Sequence, residues 1–282
     1  MVIEESNALL HLTGPVGIAR EFYVGLAQIG AGQMNTVIES MNAREVLETL
    51  PSALEAIRLL AVYKTHVSQG ESTEIVVMTL NEWMQNTVSD PYVLLVAGMI
   101  YGSEEKYSDA FSALQREPGG STIECGAAVV QLYLKMERVE LAEKAAQKMV
   151  KMEEDATLTH IALAWVYLAM GGDKCDEAAL LFQELGERFG PTPLLLNGGA
   201  VAHMMMFNFE ESARLLAQAK DDHPQNVGTM INAVALARHQ GACEEQVDVL
   251  MTNIRNAAPT HPWIENVDNL SVNFDRLATT FA

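Results

Sequence analysis

From Asp90 onward, apolar and small residues recur in a rhythm that belongs to pairs of helices. Leu94, Ala97, Gly98 and Tyr101 follow the Asp90-Pro91 start at successive spacings of three, one and three; Tyr107, Ala110 and Leu114 then lie on a second amphipathic stretch. Positions three and four apart are neighbours on a helical surface, so each set shares one face. Small residues at Gly98 and Ala110 let two helices approach closely, while Tyr101 and Leu114 fill the wedge between them. The clearest stretch runs from Glu153 to Gly241, through Ala162–Ala169, Asp176–Phe182 and Phe209–Leu216. There, small-residue helices alternate with acidic-capped amphipathic ones, and proline or glycine closes each pair.

The small position recurs. Ala110, Ala142, Ala178 and Ser212 are separated by 32, 36 and 34 residues, and the positions four beyond them read Leu114, Ala146, Phe182 and Leu216. A period near 34 with small and bulky residues so placed is that of tetratricopeptide units. The predicted fold class is therefore all-α: a right-handed α-solenoid of tetratricopeptide-like helix-turn-helix repeats. No unit can bury its own face, so at least three must stack, and roughly five to seven are expected. The register is loose. Ala146 lacks bulk, Trp165 stands where leucine is usual, and Phe207 occupies a turn where glycine is expected. A last pair is expected over Met230–Gln240 and about Cys243–Asn256, ending at Pro259.

Upstream, residues 1–14 read as a tail. Pro15 suits a first helical turn, and Ile18, Phe22, Leu26 and Ile29 share a face until Gly30-Ala31-Gly32 closes the helix. That glycine pair is not a dinucleotide loop, because Asn35 stands where the third glycine should be and no strand precedes it. A second helix carries Val37, Ile38 and Met41, with a further amphipathic stretch expected over Ala43–Leu50. Pro51 opens a helix with Leu54, Ile57, Leu60, Ala61 and Lys64 that ends near Gly70. Its partner runs from Thr73 to about Gln85 on Ile75, Val76, Leu80 and Trp83. Ile75-Val-Val-Met78 has strand propensity, but no alternation or hairpin turn surrounds it, and a helix is predicted. The expected organisation is a tail at 1–14, a helical array over 15–257 and a capping segment over 258–282.

Composition agrees with helices. Hydrophobic residues make up 49% of the 282, aromatics only 6%, and alanine, leucine and methionine abound. The fifteen methionines are first of all adaptable core filler, with some available to line a groove. Charge narrows the partners: 37 acidic against 18 basic residues give a net of −19. Such a surface repels phosphate backbones and anionic headgroups, which disfavours nucleic acid and direct docking on a membrane; a basic or apolar protein suits it better. Cys125, Cys175 and Cys243 are far apart, without a CxxC pair, and read as free thiols of a reducing compartment. The opening Met-Val-Ile-Glu-Glu-Ser is acidic where a secretory signal is basic, so no signal peptide is expected. From Phe189 to Phe209 there is no Asp, Glu, Lys or Arg, a length that could cross a bilayer. Pro191, Pro193, Asn197, Gly198, Gly199 and His203 argue instead for a buried helix from Leu194 to about Phe207.

No constellation for chemistry emerges. The seven histidines are dispersed, and none has a zinc-like set of neighbours in sequence. P-loop, GxSxG and HExxH motifs are absent. The pairs Glu153-Glu154 and Glu210-Glu211 sit at helix starts, where the helix dipole favours them without any catalytic role. No cofactor or metal is expected.

Four blocks carry a more specific resemblance. Glu154-Asp-Ala-Thr-Leu-Thr-His-Ile-Ala-Leu-Ala-Trp165, Ala169-Met-Gly-Gly172, Leu194-Leu-Leu-Asn-Gly198, and His261-Pro-Trp-Ile264 with Phe274-Asp-Arg-Leu277 resemble the epsilon subunits of coatomer. The likeness is closest from about Val130 to the end; Phe22-Tyr-Val-Gly25 and Thr122-Ile-Glu-Cys125 are similar but less close. Met206-Phe-Asn, in place of a glycine turn, and the segment between Gly30 and Pro51 depart from the pattern. The resemblance implies a tetratricopeptide-like superhelix in the coat of Golgi-derived vesicles, without catalytic activity. It also implies a partner, the C-terminal region of the alpha coatomer subunit, and a cytoplasmic protein that reaches membranes only through the coat.

Repeat geometry locates an expected groove. The first helix of each pair lines the concave side, at roughly the fifth, ninth and twelfth positions of a unit. Those positions are Leu95, Met99, Leu163, Tyr167, Met170, Asn197, Val201, Met204, Ile231, Ala235 and Arg238, with Gln131 and Leu134 from the intervening unit. About half are expected to pack against neighbouring helices, with fewer acting as energetic anchors. A peptide-clamping co-chaperone would need cations along this groove to pair a terminal carboxylate, and only Arg238 and Lys135 are near. A helical-array enzyme would need convergent polar groups in one pocket.

Overall fold

The computed structural model describes residues 13–46, 49–85, 89–259 and 261–281, and all regular structure among them is helical. The helices follow in consecutive pairs: α1 (Gly14–Gly30) and α2 (Met34–Glu45), α3 (Ser52–Gln69) and α4 (Glu74–Gln85), α5 (Pro91–Ser103) and α6 (Tyr107–Leu114), α7 (Ile123–Lys135) and α8 (Val139–Met152). The series continues through α9 (Thr157–Met170) and α10 (Lys174–Phe189), α11 (Pro193–Met205) and α12 (Phe209–Asp222), α13 (Val227–His239) and α14 (Glu244–Ala257), to α15 (Pro262–Phe281). This is an α-solenoid of helical repeats. The chain divides into two compact units, Met1–Thr159 and His160–Ala282.

Local chemistry starts four of the first helices, α5, α7, α11 and α13, in the same way. Asp90 accepts from the Tyr92 amide at 3.0 Å, Thr122 from Cys125 at 3.2 Å, Thr192 from Leu195 at 3.4 Å and Asn226 from Thr229 at 2.9 Å. Each bond satisfies an amide that a helix start leaves without an intrahelical partner. The Asn226 cap starts α13 three residues ahead of the expected Met230.

The turn from first to second helix is also repeated. Glu105, Glu137, Gly171, Phe207 and Gly241 all sit at positive φ, between 58° and 72°. The residue after the left-handed one returns its amide to the helix it leaves: Lys106 to Tyr101, Arg138 to Tyr133, Asn208 to His203 and Ala242 to Ala237, at 2.8–3.0 Å. This closure absorbs a terminal carbonyl and reverses the chain. Phe207 thus adopts the left-handed turn without being glycine. It also ends α11 at Met205, before the expected Phe207.

Packing follows the small positions. Ala110, Ala142, Ala178 and Ser212 have no exposed surface. A Cβ placed on Gly98 would stand 2.3 Å from Leu114 Cγ, so the helices of that pair approach as closely as glycine allows. In the next pair, where Ala146 is small, Met149 supplies the bulk: its Cγ lies 3.0 Å from a Cβ built on Gly126. Trp165, in the leucine position, packs edge-on against Phe182 with ring centroids 5.6 Å apart. In the first unit Phe22, Leu54, Ile57, Leu60, Leu80, Leu94, Ile100 and Leu114 are at most 1% exposed. Each such side chain contributes about 1.5–3 kcal/mol by leaving water.

Two local expectations change, and a third, the buried helix after Phe189, holds. The stretch Ala43–Leu50 forms no helix of its own: Ala43, Arg44 and Glu45 finish α2, Thr49 and Leu50 are non-helical, and residues 47 and 48 lie outside the described set. The apolar face of α4 is Val76, Val77 and Leu80, while Ile75 is 75% exposed; helical spacing, not strand alternation, selects the buried valines. The uncharged stretch after Phe189 is α11, which buries Leu195, Leu196, Ala200 and Ala202. None of the described helices is long and apolar enough to cross a membrane.

Candidate partner-binding faces

Two different faces of the first helices are open, and they are distinguished by rotation about the helix axis. In the second unit, α11 turns Leu195, Leu196, Gly199 and His203 toward a furrow walled by α10 and α12, with a cavity of about 400 Å³. Likewise, Thr229, Met230, Ala233, Leu236 and Ala237 of α13 floor a furrow of about 590 Å³ between α12 and α14. In the first unit, Gly126, Val129 and Tyr133 of α7 floor a third furrow, of about 520 Å³, between α6 and α8. The residues expected to line a groove lie elsewhere on the same helices. At 100° per residue, Asn197, Val201 and Met204 point roughly 150° away from the furrow floor of α11, and Ile231, Ala235 and Arg238 roughly 165° away on α13.

That second face is partly open. Leu163, Tyr167, Val201, Ile231 and Ala235 are half-buried, while Met170 and Arg238 are exposed. Tyr167 and Val201 pack against one apolar cluster with Leu168, Phe182 and Leu195. Ala235 packs against Met204, Leu216 and Leu236, and Ile231 against Val234 and Val247. Met204 itself is buried, because α11 turns it inward against Leu216 and Leu236; it contributes packing rather than contact area. Leu95 is likewise buried in the first unit, where Met99 and Leu134 are half-buried and Gln131 is exposed. Met99 edges a cavity of about 560 Å³ with Leu26, Ile29, Met34, Leu60 and Val67.

Polar groups on this face are largely spent on the fold. Asn197 donates to Pro193 O at 2.7 Å and to Thr229 Oγ1 at 2.9 Å, and its own Oδ1 accepts from Asn232 at 3.0 Å. This ladder ties α11 to α13. Arg238 donates to Glu244 Oε1 at 2.6 Å, and Lys135 donates to Gly102 O at 2.9 Å while its amine lies 5.7 Å from the centre of the Tyr107 ring. Lys174 stacks on Tyr167 at 4.8 Å and pairs with Glu177 at 2.6 Å. The two cations weighed for a carboxylate clamp are both engaged within the chain, so a clamp would first have to displace Glu244 and the Gly102 carbonyl from them.

Perturbed titrations follow structural contacts. Burial, then the hydrogen bond to Glu104 at 2.8 Å, pushes the Tyr63 phenol well above its ordinary range; burial and Glu124 at 2.6 Å do the same for Tyr23. Burial raises the thiols of Cys125 and Cys175, which stay protonated at neutral pH and are poor nucleophiles. No group of three or more His, Cys, Asp or Glu among the described residues is placed to hold a metal ion. Sequence reasoning did not single out the furrows. Their signal was present in the alanines and glycines of their walls and floors, Gly126, Gly199, Ala213, Ala217, Ala233 and Ala237, which leave space between successive second helices.

Comparison with known proteins places the chain. The family model for the coatomer epsilon subunit matches residues 2–282. The chain is 34% identical to coatomer subunit epsilon-1 of Arabidopsis thaliana over 94% of its length and 87% of that protein. It is 28% identical to the coatomer epsilon subunit of Dictyostelium discoideum, over 90% and 84%. Among solved structures, a tetratricopeptide repeat protein from Parabacteroides merdae superposes with a TM-score of 0.62 at 13% identity, covering 90% of this chain and 98% of that one. A chain of the Cut9–Hcn1 hetero-tetramer of the anaphase-promoting complex gives 0.64 at 10%, covering 94% and 51%. The structural likenesses speak for the repeat fold alone.

Proposed function

Since the chain belongs to the coatomer epsilon subunit family, and so is a component of the COPI vesicle coat, we propose that it works by holding the C-terminal region of the alpha coat subunit. The contact face is the one carried by the first helices of the second unit: Leu163, Tyr167 and Met170, then Asn197 and Val201, then Ile231, Ala235 and Arg238; in the first unit, Met99, Gln131 and Leu134 hold the equivalent positions on their own helices. The observation that carries this reading is the run of half-exposed apolar side chains at equivalent positions of three successive first helices, where Arg238 is already paired with Glu244. A surface of this kind supports binding through apolar anchors rimmed by polar groups. The role is structural rather than enzymatic. The chain acts in the cytoplasm and reaches Golgi membranes and vesicles through the rest of the coat, in Golgi-to-ER and intra-Golgi transport. The net charge of −19 fits that indirect route, because it opposes direct contact with anionic lipid.

The test is binding of the purified chain to the purified alpha C-terminal region, with Met170→Glu plus Arg238→Glu as the variant. Both side chains are exposed, so the fold tolerates the change. A Kd raised tenfold or more is expected. Failure of the unmodified chain to bind sinks the reading; equal binding by the variant moves the contact away from this face, with the furrows next to examine.

A further inference from the structure

The last helix carries an apolar stripe that its own unit leaves uncovered. Trp263, Val267, Leu270, Phe274, Leu277 and Phe281 recur at alternating steps of four and three residues. Alternating steps of four and three are the heptad spacing of a coiled-coil seam. The first turns of α15 are anchored: Ile264 is buried with Val234, Val247 and Ile254, Trp263 packs against them, and Arg255 donates to both oxygens of Asp268 at 2.9 and 2.6 Å. From there on, the helix stands clear. Leu270 is 69% exposed, Phe274 71%, Leu277 53% and Phe281 89%.

Resting on the reading above, we propose that residues 270–281 are a second docking element for the same coat partner, and that an amphipathic helix of that partner lies along the seam. The period selects the occupant, since side chains repeating every 3.5 residues interlock with a facing helix rather than a strand or loop. The free part, residues 270–281, offers such a helix about three turns of seam, about 18 Å. The flanking positions Ser271, Asn273, Ala278 and Thr280 are uncharged, so the seam admits any helix whose edges are neutral or basic.

Two other occupants fit less well. A second copy of the chain would bring two leucines and two phenylalanines per side, roughly 400–500 Å² each from typical side-chain areas. The symmetric pair would bury at most about 1,000 Å², under the ~1,200–2,000 Å² of stable complexes. Each copy would also carry its net charge of −19 to the contact. A lipid surface wants a cationic polar face, whereas α15 offers Glu265, Asp268 and Asp275 against Arg276 alone.

The test uses the full chain with the purified alpha C-terminal region, by calorimetry and sedimentation. Phe274→Asp plus Leu277→Asp is expected to raise Kd at least tenfold with wild-type circular dichroism, and Phe281→Ser, at the most exposed position, to raise it about threefold without disturbing any packing. Unchanged affinity in both variants, while Met170→Glu plus Arg238→Glu weakens binding, overturns this inference and leaves the function standing. No binding by the unmodified chain overturns both. A dimer of the chain alone that the stripe variants dissolve into monomers assigns the seam to a second copy and likewise overturns it.

Discussion

Gly98 and Leu114 give the sharpest test of why the repeat needs its small residues. An alanine at Gly98 would place its Cβ 2.3, 2.4 and 2.7 Å from three carbons of Leu114, a side chain only 1% exposed. Overpacking of a tight core costs about 1–3 kcal/mol. Against that stands the helix preference for alanine over glycine, about 1 kcal/mol. Gly98→Ala should therefore destabilise the first unit by about 0–2 kcal/mol. Leu114→Ala, which opens a cavity, should cost about 2–5 kcal/mol. In that background the collision is gone, the added methyl partly fills the space, and Gly98→Ala should stabilise by about 1 kcal/mol. The sign reversal is the prediction, with a coupling energy of about 1–3 kcal/mol. Urea unfolding followed by circular dichroism, across the two single variants and the double, measures it. If Gly98→Ala has the same sign in both backgrounds, close approach of the two helices is not what glycine is there for.

Phe207→Gly should stabilise the second unit by about 0.5–1 kcal/mol, because left-handed backbone costs a side-chain-bearing residue about 1–2 kcal/mol and glycine gives back about 0.5–1 in unfolded-state entropy. The ring is 77% exposed, so little packing is lost; a lower urea midpoint in the variant would contradict this. Thiol labelling at neutral pH should find Cys243 fast and the buried Cys125 and Cys175 slow, since burial both shields them and raises their pKa. Three equal rates in the native protein, rather than only after unfolding, would count against the packing described.

The period was legible because its signals are local. Leu94, Ala97, Gly98 and Tyr101 on one face, and Ala110, Ala142, Ala178 and Ser212 at near-regular intervals, are consequences of packing that any unit must satisfy. The left-handed turns at Glu105 and Glu137 were not legible, since glycine is the residue that advertises them; at Phe207 the register located the turn, and closure of the preceding helix imposes the conformation on a residue that is not glycine. The candidate face was partly legible. Helical spacing places Leu163, Tyr167 and Ile231 on an open surface, but whether a side chain reaches solvent depends on its neighbours. Leu216 and Leu236 cover Met204, which no spacing rule reveals. The free half of α15 was hidden for a different reason: residues 258–282 are expected as a capping segment, and spacing alone does not show that Leu270, Phe274, Leu277 and Phe281 stay exposed.

Site-specific photocrosslinking tests the central claim most directly. Benzoylphenylalanine placed at Tyr167 or Met170, on the first-helix face, is compared with the same probe at Leu180 or Val249, both on second helices and 58% and 61% exposed. The account predicts ultraviolet-dependent adducts with the alpha coat C-terminal region from the first pair and none from the second. Adducts from Leu180 and Val249 alone would contradict it, and would place the partner on the opposite side of the repeats.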